Sequence, residues 1–171
     1  MYRADHTTSA MHGKQFFLDS LRAGHSESSL YLRVEFAGAH PPDAEELREG
    51  YQIVATSEAL APASTTAKPA VAASVEVAGG RIQRWQVTRD SAVIADSGQA
   101  EATDAGVQPR FRLRDAMEIQ LPLVMLGAAI GGKLHLRVSL WRSGLPVDSL
   151  PAQGFIELDL RPERDLLAEA F

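Results

Sequence analysis

The chain contains no cysteine. That absence removes disulfides, thiolate nucleophiles and cysteine-type zinc sites together, and it suits a reducing compartment, the cytoplasm. Long apolar runs are missing too. The most apolar stretch, residues 121–130, is interrupted by Pro122 and Gly127 and is far too short to cross a bilayer. Lysines and arginines nowhere gather into a run that would track phosphates. The net charge of -5 over 171 residues favours solubility and argues against a nucleic-acid surface. The first residues, Met1-Tyr2-Arg3-Ala4-Asp5-His6, hold an acid and have no apolar core behind them, so they do not read as a secretory signal. They open abruptly, as a segment cut from inside a longer protein would.

What the sequence does have is alternation. In Leu30 to Phe36, Leu30, Leu32, Val34 and Phe36 fall on one face and Tyr31, Arg33 and Glu35 on the other. A helix would set Leu30 and Leu32 about 200° apart and scatter the apolar set. The stretch is therefore a central antiparallel strand with one buried and one wetted face. Lys133 to Trp141 repeats the pattern, with Leu134, Leu136, Val138 and Leu140 inward and His135, Arg137, Ser139 and Trp141 outward.

Further strands are expected at 15–23, 51–55, 71–78, 81–88, 92–95, 99–103, 117–121 and 154–160, with 111–113 either a short strand or the lead-in to 117–121. Turns at Gly24–Ser29, Gly79-Gly80, Asp96-Ser97-Gly98, Gly131-Gly132 and Ser143-Gly144 separate several of them. Residues 1–14 read as a loop or an extended lead-in, 43–48 as a single helical turn after Pro41-Pro42, and 57–69, rich in Ala, Ser, Thr and Pro, as a long surface loop. Residues 163–171, after Pro162, suit a short C-terminal helix. About ten short strands with hardly any helix argue for a single all-β domain over 1–171, an antiparallel β-sandwich of jelly-roll or immunoglobulin-like kind. A closed barrel uses the same alternation and stays open as an alternative.

Motifs for chemistry are scarce. His6, His12 and His25 lack the i, i+4 spacing and HExxH context of a metal site, and His135 points out of the core of its strand. Glu35, Glu157 and Asp159 sit on outward faces with no spacing that sets a catalytic pair, and Arg33 or Arg137 would pair with such acids across strands. Asp43, Glu45, Glu46 and Glu49 read as a solvated face. There is no Gly-x-Ser-x-Gly elbow, and the Gly-Gly pairs belong to hairpins, so they do not open phosphate-binding helices. The expectation is a domain without catalysis, metal or cofactor.

The informative residues are those facing away from the core. Tyr31, Arg33, Glu35, Arg137 and Trp141 would share one surface if the two strong strands are neighbours, and Trp85 either joins them or belongs to the core. Aromatic faces stack on sugar rings while Arg and Glu take hydroxyls. Trp, Tyr and Arg equally anchor protein interfaces, and on those propensities alone the favoured partner is protein.

Several segments carry a family resemblance: Met1-Tyr2-Arg3, Ser9-Ala10-Met11-His12-Gly13, and Ser29-Leu30-Tyr31-Leu32-Arg33-Val34. Met117-Glu118-Ile119-Gln120-Leu121-Pro122-Leu123, then Leu134-His135-Leu136-Arg137-Val138 after a Gly-Gly turn, continue it. So do Leu150-Pro151 and Gly154-Phe155-Ile156-Glu157-Leu158. Together they resemble the C-terminal region of family 57 glycoside hydrolases, large α-glucan-acting enzymes in which this region follows the catalytic barrel and a helical domain. The resemblance implies a DOMON-like or carbohydrate-module-like sandwich that packs on the catalytic domain of its parent enzyme and helps hold α-glucan. None of that family's catalytic carboxylate motifs can be placed here, so no catalytic residue is carried over. The competing expectation is a structural or self-associating domain with no sugar ligand; a third is a small sandwich enzyme acting alone.

Overall fold

The computed structural model describes residues 1–3, 16–38, 40–60, 70–98 and 108–162. Their regular structure is antiparallel β, in two sheets. One sheet holds β1 (Tyr2–Arg3), β2 (Leu18–His25), β3 (Ser29–Phe36), β9 (Ala116–Pro122) and β8 (Arg110–Leu113), in that spatial order. The other runs β11 (Leu145–Leu150), β10 (Lys133–Arg142), β4 (Tyr51–Leu60), β5 (Val71–Ala78), β6 (Arg81–Arg89), β7 (Ala92–Asp96), with β12 (Ile156–Asp159) also pairing with β10. A 3₁₀ turn, Glu45–Leu47, precedes β4.

The sandwich follows from the period of the pleat. Leu30, Leu32, Val34 and Phe36 of β3 are buried, as are Leu134, Leu136, Val138 and Leu140 of β10, and all eight belong to one core cluster. The pairing of β10 with β4 sets large residues beside small ones: Leu134 opposite Ala59, Leu136 opposite Ser57, Val138 opposite Ala55. This lets one layer of side chains fill the space between the sheets without overpacking. β3 lies at the middle of its sheet, between β2 and β9.

The tight turns follow from backbone chemistry. β10 and β11 are joined by Ser143 and Gly144, both at positive φ (49° and 76°), as a two-residue hairpin loop needs in order to match strand twist. Asp90 and Ser91, at 47° and 67°, do the same between β6 and β7.

Four expectations need correction. Residues 57–60 continue β4 and are not loop, because Ser57 and Ala59 occupy inward positions small enough to face β10. Tyr2–Arg3 pair with β2 and are not a plain lead-in. β11 was not expected, no strand having been read between Ser143-Gly144 and residue 154; its Pro146 lies on an edge strand at a register shift opposite Trp141, where its missing N–H costs nothing. The strand read over 154–160 is confined to Ile156–Asp159. The expected strand at 99–103 and the C-terminal helix at 163–171 lie outside the described residues.

One polar contact ties the two sheets at an edge. Asp148, on the inward phase of β11, is buried, and its Oδ2 accepts hydrogen bonds from the backbone N–H of Phe17 (2.8 Å) and Leu18 (2.9 Å) at the start of β2. Its Oδ1 takes the N–H of Ser149 at 2.8 Å. The opposite side is closed by apolar contact between Trp85 of β6 and Phe111 of β8, ring centroids 5.0 Å apart. Replacing Asp148 with Ala strands two buried N–H groups and is expected to cost about 3 kcal/mol, with a smaller loss for Asp148→Asn, which keeps one acceptor. Urea unfolding of the three proteins checks this, and an unchanged midpoint for Asp148→Ala would falsify the clamp.

Candidate functional site

The site grows out of register. On the outer face of the five-stranded sheet, cross-strand pairing lines up Arg22, Arg33, Glu118 and Arg112 in one row and Gly24, Tyr31, Gln120 and Arg110 in the next. These eight residues line an open trough of 880 Å³. Four of them are arginines and one is an acid, in a chain whose net charge is negative.

Arg22 and Arg33 stand directly opposite each other, an arrangement that repels unless acids are interposed. Two glutamates do this. Glu35 lies 3.3 Å from Arg22 and 3.3 Å from Arg33, and Glu118 reaches Arg33 from the other side at 2.7 Å. The Ser20 hydroxyl donates to the second oxygen of Glu35 at 2.7 Å. That bond, followed by those to the arginines, holds the Glu35 carboxyl below the usual carboxylate range despite some desolvation. A general acid needs the opposite shift, so Glu35 is a counter-ion that fixes the arginine row.

Tyr31 stands in the middle of the trough with 44% of its surface exposed. Across the β2 pairing it faces Gly24, where an added Cβ would meet nothing within 4 Å. The glycine is not demanded by backbone strain there; its effect is to leave one side of the tyrosine ring uncovered. Gln120, opposite Tyr31 on β9, is oriented by a bond from its amide nitrogen to the Ser29 hydroxyl, 3.2 Å.

Arg137 and Trp141 do not share this surface. They belong to β10 in the other sheet, so their outward side chains emerge on the far side of the sandwich. There the Trp141 indole N–H donates to the Ser139 hydroxyl at 2.8 Å, and Arg137 reaches the Ser149 hydroxyl at 3.1 Å. Trp141 separates two shallow depressions of 520 and 350 Å³. Trp85 lies on neither outer face: half-buried against Phe111, it packs at the margin of the core. The expected single surface is thus split three ways, because β3 and β10 share a core and not a sheet.

Sequence reasoning missed Gly24, Arg22, Arg110, Arg112, Glu118 and Gln120. Arg22, Arg112, Glu118 and Gln120 fall within expected strands, whereas Gly24 was expected in a turn and continues β2, and Arg110 lies just before the strand expected at 111–113; which strands lie side by side was not legible. Lys133 pairs with Glu157, and His135 lies 3.5 Å from that same glutamate, so these outward groups of the second sheet form an exposed charge cluster. His25 is engaged structurally, its Nε2 accepting the Arg161 N–H at 3.2 Å. His6 and His12 lie outside the described residues. Among the described residues no group of three His, Asp or Glu is placed to hold a metal ion, and no helix is long and apolar enough to cross a membrane.

The lowered Glu35 carboxyl makes a pH prediction with a definite sign. A depressed folded-state pKa adds stability above the unfolded carboxylate value, about 4.3, and that stability is lost as pH falls through the lowered value. The stability gap between the parent protein and Glu35→Gln is therefore expected to be full at neutral pH and to shrink below about pH 4. Urea midpoints of both proteins measured across that range check it.

Scanned against protein-family models the chain finds no match, and a search of curated proteins likewise finds none at a significant level.

Proposed function

We propose that this chain is a non-catalytic accessory domain of an α-glucan-acting enzyme of the family 57 glycoside hydrolase kind. In this reading it packs on the catalytic domain of its parent and holds glucan in the trough over Tyr31. The observation that carries the sugar half is the uncovered Tyr31 ring at the centre of a concave sheet face, flanked by the planar polar groups of Arg33, Glu118 and Gln120. Sugar sites are built this way: the aromatic stacks on the apolar face of the ring, and pre-oriented planar groups take the hydroxyls. Arg33 and Glu118 hold each other at 2.7 Å and so lose little side-chain freedom on binding. The family half rests on the resemblance of the segments around Ser29–Val34, Met117–Leu123 and Leu134–Val138. A cytoplasmic location belongs to the same proposal and rests on the cysteine-free composition.

The far face suits the docking role. Trp141 has its polar atom satisfied within its own strand and is bordered by Arg137, which is the Trp–Arg composition of a protein interface. A domain that docks but binds no sugar is the competing reading, and the two faces allow the roles to be tested separately.

Isothermal titration of the 171-residue chain with maltooligosaccharides and glycogen tests the sugar role; no heat at millimolar ligand removes it. Tyr31→Ala is expected to weaken binding about tenfold or more, and Gly24→Leu to obstruct the ring while leaving the unfolding midpoint unchanged or raised. Trp141→Ala is expected to reduce co-purification with the catalytic part while sugar binding persists. Loss of both functions together in Trp141→Ala would point to misfolding or a single shared surface and would overturn the two-face assignment.

A further inference from the structure

Two cations of the trough are left over once its ion pairs are assigned. Arg22 and Arg33 are neutralised by Glu35 and Glu118, as described. Arg110 and Arg112 are exposed on β8; their backbones pair with β9, and their guanidinium groups have no hydrogen-bond or ion-pair partner among the described residues. They project from the same face two residues apart, and Arg110 continues the row that contains Tyr31 and Gln120. One strand separates β3 from β8, so Tyr31 and Arg110 stand about 10 Å apart, the span of one hexose ring and a substituent beyond it.

We propose that the trough selects α-glucan carrying a phosphate monoester, with the sugar ring on Tyr31 and the phosphate held by Arg110 and Arg112. This rests on the carbohydrate reading of the trough and names its ligand class. A neutral glucan has hydroxyls enough for Arg33, Glu118 and Gln120 but nothing that matches the charge of two exposed guanidinium groups without a partner among the described residues. The guanidinium fork matches phosphate oxygens in a bidentate way that ammonium groups do not, and paired forks on one edge strand converge on a tetrahedral anion. The surroundings reinforce the choice. The trough lining is net positive while the chain as a whole is net negative, so the local field favours anions at this face. An acidic peptide offers charge but no sugar-shaped apolar face for Tyr31.

The experiment is isothermal titration of the intact chain with maltotriose, with maltotriose 6-phosphate and with inorganic phosphate alone, at low and at high salt. Maltotriose 6-phosphate is expected to bind about tenfold tighter than maltotriose at low salt, with the advantage falling as salt screens it, and inorganic phosphate to bind far more weakly than either. In the Arg110→Gln, Arg112→Gln double variant the two sugars are expected to bind alike; both positions are exposed, and an unchanged unfolding midpoint confirms that the fold is intact. Equal affinity of the parent protein for the two sugars overturns this inference and leaves the carbohydrate reading standing. An advantage that survives the double variant overturns the assignment of the two arginines. Inorganic phosphate binding as tightly as the phosphorylated sugar overturns the sugar component, and silence with every sugar overturns the carbohydrate reading itself.

Discussion

Each sheet of this protein has one face that must be kept from water, and among the described residues the other sheet is what covers it. Everything else follows from that constraint. Because side chains alternate strictly along a strand, burying Leu30, Leu32, Val34 and Phe36 forces Tyr31, Arg33 and Glu35 outward. The candidate site is thus the obligatory complement of the core. A slip of one residue in β3 would bury two charges and expose four large apolar groups, so the outward position of Tyr31 is held by the full hydrophobic free energy of the strand.

Apolar burial is non-directional, and on its own it would tolerate sliding of one sheet over the other. Asp148 supplies direction. A buried carboxylate is costly unless its oxygens are satisfied, and here three backbone N–H groups satisfy them, two from the strand that begins the opposite sheet. The Trp85–Phe111 contact closes the other side. Asp148 thus pins the sandwich at one margin, and at the other the ring contact is accompanied by Arg89 of β6, which donates to the Met125 carbonyl at 2.6 Å. On the outer face the same logic operates at lower stakes, with Glu35 and Glu118 placed where the arginine row would otherwise repel itself.

Much of the strand pattern was legible because it depends on near neighbours in the chain. The alternation of β3 and β10, the Gly79-Gly80 and Ser143-Gly144 turns and the strand at 71–78 are all local signals. Where local signals conflicted, reading stopped. β11 went unread: it carries Pro146, which a strand tolerates at an edge, and nothing local says that β11 is an edge. The small residues Ser57 and Ala59 looked like loop because their value lies in what β10 places opposite them. The site was half legible: Tyr31, Arg33 and Glu35 could be assigned to an outward face, whereas Arg110, Arg112 and Glu118 acquire meaning only as their neighbours.

By itself the sequence determined an all-β chain without disulfides, which residues of each strong strand face the core, and where several hairpins turn. These properties rest on the chemistry of residues a few positions apart. Tertiary structure alone decided that β3 and β10 lie in different sheets, which parts Tyr31 from Trp141 and puts them on opposite sides of the molecule. It likewise decided that Gly24, Gln120 and Arg110 share a row with Tyr31, and that Asp148 reaches across to Phe17 and Leu18. Alternation tells each strand which face to bury and is silent on which strand lies beside it. Pairing and the contacts between sheets join residues far apart in the chain, 131 positions for Phe17 and Asp148, and no local pattern encodes them.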